Sequence, residues 1–430
     1  MQQSEQPDKR WQIPFFSIWF GQTFSLLGSS LVQFALVWWL TRETGSATVL
    51  ATASLVAMLP QIFLGPLAGA YVDRWNRRRT MIVADTGIAL ATVWLVVLFS
   101  MGWVQVWHIY VIMLIRSLGG AFHWPAMQAS TSLMVPPEHL SRIAGLNQSM
   151  QGAISIVAPP VGALLLEALP MAQVLAIDIV TAALAVTPLL FVMIPQPARS
   201  APVGDSSKPS IWADLRSGLR YVRGWPGLMI IMVMATMINF LFSPAFALLP
   251  LLVKDHFGGG ALELGWTEAA WGIGVIAGGL ALGVWGGFKR KLVTSMLGLI
   301  GMGIGSVMVG VLPGSLFGVA LAAMLLLGFM NPITNGPLFA VLQASVAPEM
   351  QGRVFTLLTS AATAMSPLSL ALAGPLADEL GIQLWYIVAG VFCGAMGVLG
   401  FFIPALVNME KNNGAAQMVD GGTPALAPEA

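Results

Sequence analysis

Apolar runs of roughly twenty residues or more follow one another along almost the whole chain, each long enough, at about 1.5 Å of helix per residue, to cross the roughly 30 Å hydrocarbon core of a bilayer. Within hydrocarbon every backbone N–H and C=O must find a partner inside the protein, which leaves helix bundles and closed barrels as spanning structures. Barrel strands alternate in polarity over about ten residues, and these runs do not. Helices are therefore expected. Composition agrees, with 57% hydrophobic and 9% charged residues against about a quarter charged in an ordinary soluble domain.

Spans fall near 12–41, 48–72, 80–101, 105–134, 141–168, 172–195, 226–253, 264–288, 292–312, 315–345, 352–379 and 382–407. Short connections, such as Gly102 to Val104 or Leu380 to Gly381, imply antiparallel neighbours. Basic residues give the orientation. With the N-terminus inside, the cytoplasmic segments collect Lys9, Arg10, Arg74, Arg77, Arg78, Arg79, Arg142, Arg199, Lys208, Arg216, Arg220, Arg223, Lys289, Arg290, Lys291, Arg353 and Lys411; Arg42 and Lys254 fall outside and Arg116 lies within a span. Both termini are thus expected in the cytoplasm. The start of the chain lacks the short apolar stretch and small-residue cleavage site of a signal peptide and is expected to stay uncleaved. A single cysteine, Cys393, excludes an intramolecular disulfide and a cysteine metal cluster.

Residues 1–195 read as a first six-helix half and 226–407 as a second, joined by a cytoplasmic linker at 196–225 and followed by a disordered cytoplasmic tail at 408–430. In the linker, Trp212, Leu215, Leu219 and Val222 share one helical face, away from Arg216, Arg220 and Arg223. That pattern suits a helix in the headgroup layer and equally a solvated connector. An internal echo supports the division: Pro137-Glu-His-Leu-Ser-Arg142-Ile143 follows the fourth span and Pro348-Glu-Met-Gln-Gly-Arg353-Val354 the tenth. Two repeated halves fit a transporter better than a channel or receptor.

The turn between the second and third spans reads Gly69-Ala-Tyr-Val-Asp73-Arg74-Trp-Asn-Arg77-Arg78-Arg79. It resembles the G-x-x-x-D-R-x-G-R-R loop of the major facilitator superfamily, with Asn76 at the usual second glycine. Asn tolerates the left-handed backbone that glycine would adopt there. Gly69 permits close helix approach, Asp73 can face a helix N-terminus, and Arg74, Arg77 and Arg78 can pair with carboxylates or lipid phosphate, which together would make a conformational latch. The plainer alternative is a positive-inside anchor. The matching loop of the second half, Gly283 to Lys291, keeps glycine and basic residues but lacks the acid.

Arg116 is the one basic residue well inside a span, and charge in the membrane is costly enough to mark a functional candidate. Its setting resembles the family's fourth-span R-x-x-(Q)-G motif, where the resemblance implies proton coupling: the arginine would hold a nearby carboxylate ionised and release it as the halves move. Gly152, Ala158, Pro159 and Gly162 in the fifth span resemble the antiporter motif of drug exporters; a merely kinked helix would also place proline there. Candidate proton carriers are Asp85, Asp178 and Glu268, with Asp178 ranked first and Asp85 expected to brace the Asp73 loop. The family's cavity-lining spans contain Gln33, His123, Trp124, Met127, Asn239, Phe240, Asn331 and Asn335, an aromatic and methionine surface with few charges, suited to a large amphiphilic molecule. The four histidines lack metal-ligand spacing, and no Walker A sequence is seen to suggest ATP drive.

The run Ile18-Trp-Phe-Gly-Gln-Thr-Phe-Ser-Leu-Leu-Gly28, with Thr44-Gly-Ser-Ala47, Leu59-Pro60, Gly65-Pro66, Ile115 to Pro125 and Gly352-Arg-Val-Phe355, is similar to the drug:proton antiporter branch that contains macrolide-efflux (Mef-type) proteins. The resemblance implies an all-α membrane protein of twelve transmembrane helices in two six-helix pseudo-repeats, the major facilitator fold. It further implies proton-driven efflux of hydrophobic drugs, macrolides foremost, across a bacterial cytoplasmic membrane. Expected partners are the lipid bilayer, a small hydrophobic substrate and protons. No enzyme activity, cofactor, nucleic acid or ATP is expected, and the chain is expected to be a monomer. Transport of a metabolite or siderophore-like solute on the same fold, and a non-transporting receptor or scaffold, are the alternatives.

Overall fold

The computed structural model describes residues 11–195 and 211–407; the tail at 408–430 and the linker up to residue 210 lie outside the described residues. Twelve long helices run in order: α1 Gln12–Thr44, α2 Ala47–Arg74, α3 Arg77–Met101, α4 Val106–Met134, α5 Leu140–Ala168, α6 Met171–Phe191, α7 Pro226–Ala247, α8 Ala261–Trp285, α9 Lys291–Val311, α10 Phe317–Ser345, α11 Pro348–Leu380 and α12 Gln383–Gly400. No strand occurs among the described residues. Eleven of the twelve are long and apolar enough to cross a membrane. The other is α4, whose apolar run is broken by His108, Arg116 and His123.

The helices stop where turn chemistry stops them. Gly102, at φ 72°, and Gly381, at φ 85°, take the left-handed backbone that ends α3 and α11 and turns the chain back within four and two residues. The seventh span ends earlier than its apolar run: α7 closes at Ala247, and Pro250, which has no N–H to donate, sits in a short turn before a π-helical Leu252–His256. Likewise α6 stops at Phe191 and α12 at Gly400, short of the apolar residues that follow.

The chain divides into two compact units. The first takes α1–α6 together with residues 247–269 and 370–379. In it α1 packs on α5 and α6, α2 and α3 flank α4, and α3 also meets α6. Phe15, Ile18, Trp19, Met81, Met127, Met150 and Leu189 form an apolar core at one end. The second unit, 211–246, 270–369 and 380–407, is built around α9. There Gly303 faces Gly390 and Gly394 of α12, so closely that a Cβ on Gly303 would sit 2.6 Å from the Gly390 carbonyl oxygen. Small residues at such a seam let two backbones approach, the usual means of helix association in lipid.

The linker helix, Ile211–Arg223, docks on this second unit. Val222 is buried with Leu228, Val341, Leu342, Val354 and Leu358, while Arg216, Arg220 and Arg223 are exposed. The two echoed segments open equivalent helices, although Pro137–His139 forms a 3-10 turn before α5 and Pro348 begins α11 directly.

Candidate functional site

Four helices of the first unit converge on one buried acid. Asp178 of α6 is 1% exposed and pairs with Arg116 of α4 at 2.5 Å. Thr92 of α3 donates to the same carboxylate oxygen at 3.2 Å, and Ser29 of α1 donates to the other at 3.0 Å. The second arm of the Arg116 guanidinium donates to the Ser29 carbonyl at 3.0 Å. Acid and base are thus both charge-balanced and hydrogen-bonded, the condition under which a buried pair is tolerated. One expectation changes here. Arg116 and all its partners lie in a single compact unit, so a rigid movement of that unit does not part Arg116 from Asp178.

A second polar cluster lies beside the first. Asp85 of α3 accepts from the Gln22 side chain at 3.0 Å and faces His123 Nε2 at 3.3 Å. Asp85 points into the bundle, because Asp85, Ile88 and Thr92 recur at helical spacing on the face turned to α1, α4 and α6; the Asp73 side chain, which it was expected to brace, lies outside those described. A cavity of about 600 Å³ opens against this cluster, lined by Gln22, Ser29, Gln33, Asp85, Arg116 and His123 among others, and by Glu268 from the segment 247–269. Glu268 has no hydrogen-bond or ion-pair partner among the described residues. Asp178 does not line the cavity, whereas Asp85 and Glu268 do.

The loop between α2 and α3 behaves differently from its expectation in two respects. Asn76 adopts φ −73° and ψ 108°, an extended rather than left-handed backbone, and its side chain accepts the Arg79 N–H at 3.1 Å as the N-cap of α3. Among the described residues Arg78 meets backbone rather than a carboxylate: its guanidinium donates to the carbonyls of Leu189 and Leu190 at the C-terminal end of α6, where a cation complements the helix dipole. Arg77 is buried and Arg74 exposed. The side chains of Gly69 and Asp73 lie outside those described.

In α5, Pro159 and Pro160 withhold the N–H groups that the Ser155 and Ile156 carbonyls would take. Ala158 and Pro159 line the cavity, and Gly162 packs on the Phe34 ring. Gly265 abuts this bend: a Cβ there would lie 2.9 Å from the Pro159 carbonyl oxygen. Gly152 offers its carbonyl to the Ser155 hydroxyl.

The turn between α1 and α2 is gripped from both sides within the first unit. Lys254 donates its ammonium to the Thr41 carbonyl at 3.1 Å, at the C-terminal end of α1. Asp378 accepts from the Ala47 and Thr48 N–H groups at 2.6 and 3.1 Å and from the Ser46 and Thr48 hydroxyls, at the N-terminal end of α2. Each charge meets the helix pole of opposite sign. Asp378 did not stand out in the sequence, and Lys254 stood out only as a basic residue outside the cytoplasmic segments.

The second unit holds a cavity of about 410 Å³. Asn239, Asn331 and Asn335 line it, with Phe242 and Trp271, and no acidic or basic side chain does. Phe240, Trp124 and Met127 line neither cavity: Phe240 gives its carbonyl to Ser369, Trp124 is 42% exposed, and Met127 belongs to the apolar core near Trp19. Among the other histidines, His108 accepts the Gln105 N–H at the start of α4 and His139 stacks on Trp11.

The sequence profile of the Major Facilitator Superfamily matches residues 18–368 and, in a second overlapping match, 228–427. Macrolide efflux protein A of Streptococcus pyogenes is 35% identical over 384 residues, covering 88% of this chain and 93% of that protein. Multidrug efflux pump Tap of Mycobacterium tuberculosis is 27% identical over 409 residues, covering 92% and 95%. Among solved structures, that of the nucleoside transporter NupG superposes with a TM-score of 0.67 at 12% identity, covering 90% of this chain and 98% of that one. A likeness at that identity carries the fold and nothing about cargo.

Proposed function

Because this chain belongs to the Major Facilitator Superfamily, we propose that it is a proton-driven exporter of hydrophobic or amphiphilic drugs, macrolides foremost, working by alternating access. On this reading it is a monomer in a bacterial cytoplasmic membrane, needs no ATP and keeps both termini inside. The observation that carries the proposal is the cavity of about 600 Å³ in which Asp85, His123, Arg116 and Glu268 meet. Its size falls in the range of roughly 300–1,000 Å³ usual for drug-sized ligands. Two carboxylates on its wall, only one of them hydrogen-bonded, favour an amphiphile that carries a basic amine, as macrolides do. The relatives named for macrolide and multidrug efflux support the direction and the class of cargo.

The roles divide by access. Asp85, partnered by His123, and Glu268 face the cavity and exchange protons with it, while Asp178 serves as the fixed counter-ion of Arg116. Inverted membrane vesicles given an acid interior should accumulate a fluorescent macrolide, and a protonophore should release it. Accumulation that ignores the gradient would rule out proton coupling. Glu268→Gln and Asp85→Asn should weaken binding of a basic drug and flatten its dependence on pH.

The grip of Lys254 and Asp378 steadies the α1–α2 turn on this reading. Losing a capping carboxylate costs about 0.5–2 kcal/mol, and each 1.4 kcal/mol is about tenfold in an equilibrium. Asp378→Ala should therefore raise the population with a loosened α1–α2 turn several-fold. Spin labels at positions 43 and 376, placed in a Cys393→Ser background, would show it as a growing long-distance component. An unchanged distance distribution would remove the grip from the mechanism.

A further inference from the structure

A cavity of about 790 Å³ in the first unit takes no part in the scheme above. It lies along α3 and α4 from the end of α2, and its two ends differ in chemistry. One end is polar, with Arg74, Asn76 and Arg79 beside Trp75, whose ring stacks on Phe122 at 5.9 Å and 21°. The other is apolar, with Ile88, Ile115 and Leu118. Between them the floor is Gly87, where an added Cβ would meet nothing within 4 Å, and the side is Val83, which is 70% exposed. This space is separate from the polar cavity by one side chain. Ile88 lines both, and it closes on Gly119 so tightly that a Cβ there would lie 2.7 Å from Ile88 Cδ1.

Length and charge together select the occupant. Arg79 sits in the first turn of α3 and Ile88 nine residues further on, a depth of about 14 Å at about 1.5 Å per residue. Half of a hydrocarbon core of about 30 Å is about 15 Å. The groove therefore spans one leaflet, from the headgroup level to the bilayer centre. At the headgroup level Arg74 and Arg79 are both exposed, and neither has an ion-pair partner among the described residues. Guanidinium groups match phosphate geometry and charge, and an aromatic ring beside them suits the interface. The same two cations repel an amine-bearing drug, which argues against a drug portal. With the α2–α3 turn on the cytoplasmic side, the facing leaflet is the one rich in anionic lipid.

We propose that this groove binds one anionic diacyl phospholipid of the cytoplasmic leaflet, its phosphate on Arg74 and Arg79 and its acyl chains along Val83, Gly87 and Ile115. The lipid tail backs Ile88 on the side opposite Asp85 and Arg116. The assignment stands whether or not the protein exports drugs.

The test is lipid retention by the full-length protein, delipidated in detergent and offered phosphatidylglycerol or phosphatidylcholine of equal chain length in native mass spectrometry. The expected result is a one-to-one adduct retained at least tenfold better with phosphatidylglycerol. Arg74→Gln with Arg79→Gln should bring phosphatidylglycerol down to the phosphatidylcholine level. Gly87→Leu keeps both charges, fills open space without a clash, and should abolish the adduct; Gly279→Leu, equally unobstructed but in the second unit, should keep it. Equal retention of the two lipids, or an adduct that survives Gly87→Leu, would overturn the proposal.

Discussion

Replacement of Asp178 by Asn is expected to abolish gradient-driven drug accumulation and to lower the yield of folded protein. Arg116 lies ten residues from the start of α4, about 15 Å deep at about 1.5 Å per residue, where an unpaired charge is among the costliest things a membrane protein can hold. The wild-type site answers that cost with the Asp178 carboxylate and the Ser29 carbonyl. Asn leaves the guanidinium without a counter-ion, and breaking a buried pair from one side costs about 3–5 kcal/mol. Arg116→Lys should fail almost as badly, because one ammonium cannot span Asp178 and the Ser29 carbonyl as the guanidinium fork does. The double variant Arg116→Gln with Asp178→Asn removes both charges and should recover folded protein but not transport. Thermal stability in detergent and vesicle flux, measured on all three, separate the structural part of the effect from the transport part. Wild-type flux in Asp178→Asn would show that the pair is dispensable.

The second large effect is expected at the α9–α12 seam. Gly303→Val places a branched side chain against the Gly390 carbonyl and the Gly394 backbone, at positions where a first carbon would already lie within 2.6 Å. Backbone atoms cannot swing aside, so the helices must separate. Overpacking costs about 1–3 kcal/mol where side chains can yield, and the loss here should exceed that range. Gly390→Val should act alike, since its added carbon meets the Gly303 carbonyl oxygen at 2.6 Å. Gly318→Ala, which meets nothing within 4 Å, should be neutral or slightly stabilising. The readout is the midpoint of thermal unfolding followed by fluorescence size-exclusion chromatography. A Gly303→Val protein with an unshifted midpoint would show that the seam is looser than its backbone contacts imply.

The spans were legible because hydrocarbon leaves a chain few alternatives, and apolar length alone carries that message. Their ends were less so: the apolar run past Ala247 conceals the break that Pro250 imposes, and the run past Phe191 conceals the end of α6. Arg116 stood out as a lone base within a span, and Asp178 as an acid in another, but nothing local says that they meet, or that Thr92 and Ser29 complete the site. A weaker signal was present. Gln22, Ser25 and Ser29 recur at helical spacing on α1, as Asp85 and Thr92 do on α3, so two polar faces could be drawn before the bundle was known. What no periodicity could reveal were contacts between distant segments and backbone atoms, such as Arg78 on the last carbonyls of α6 or Asp378 on the first N–H groups of α2. Backbone acceptors and donors leave no mark in a sequence.

The cavity of the second unit has a consequence for how such a protein meets a new antibiotic. Its walls carry asparagine, serine, methionine and aromatic side chains and no titratable acid or base, while Arg116, Asp178, Asp85 and Glu268 all belong to the first unit. An exchange at Asn239, Phe242, Trp271 or Asn335 therefore alters the shape and hydrogen bonding of that cavity while leaving those four charged residues in place. Were drug to reach this cavity as well as the charged one, a lineage under selection could redirect its resistance at those positions, and resistance profiles of closely related strains should diverge there first.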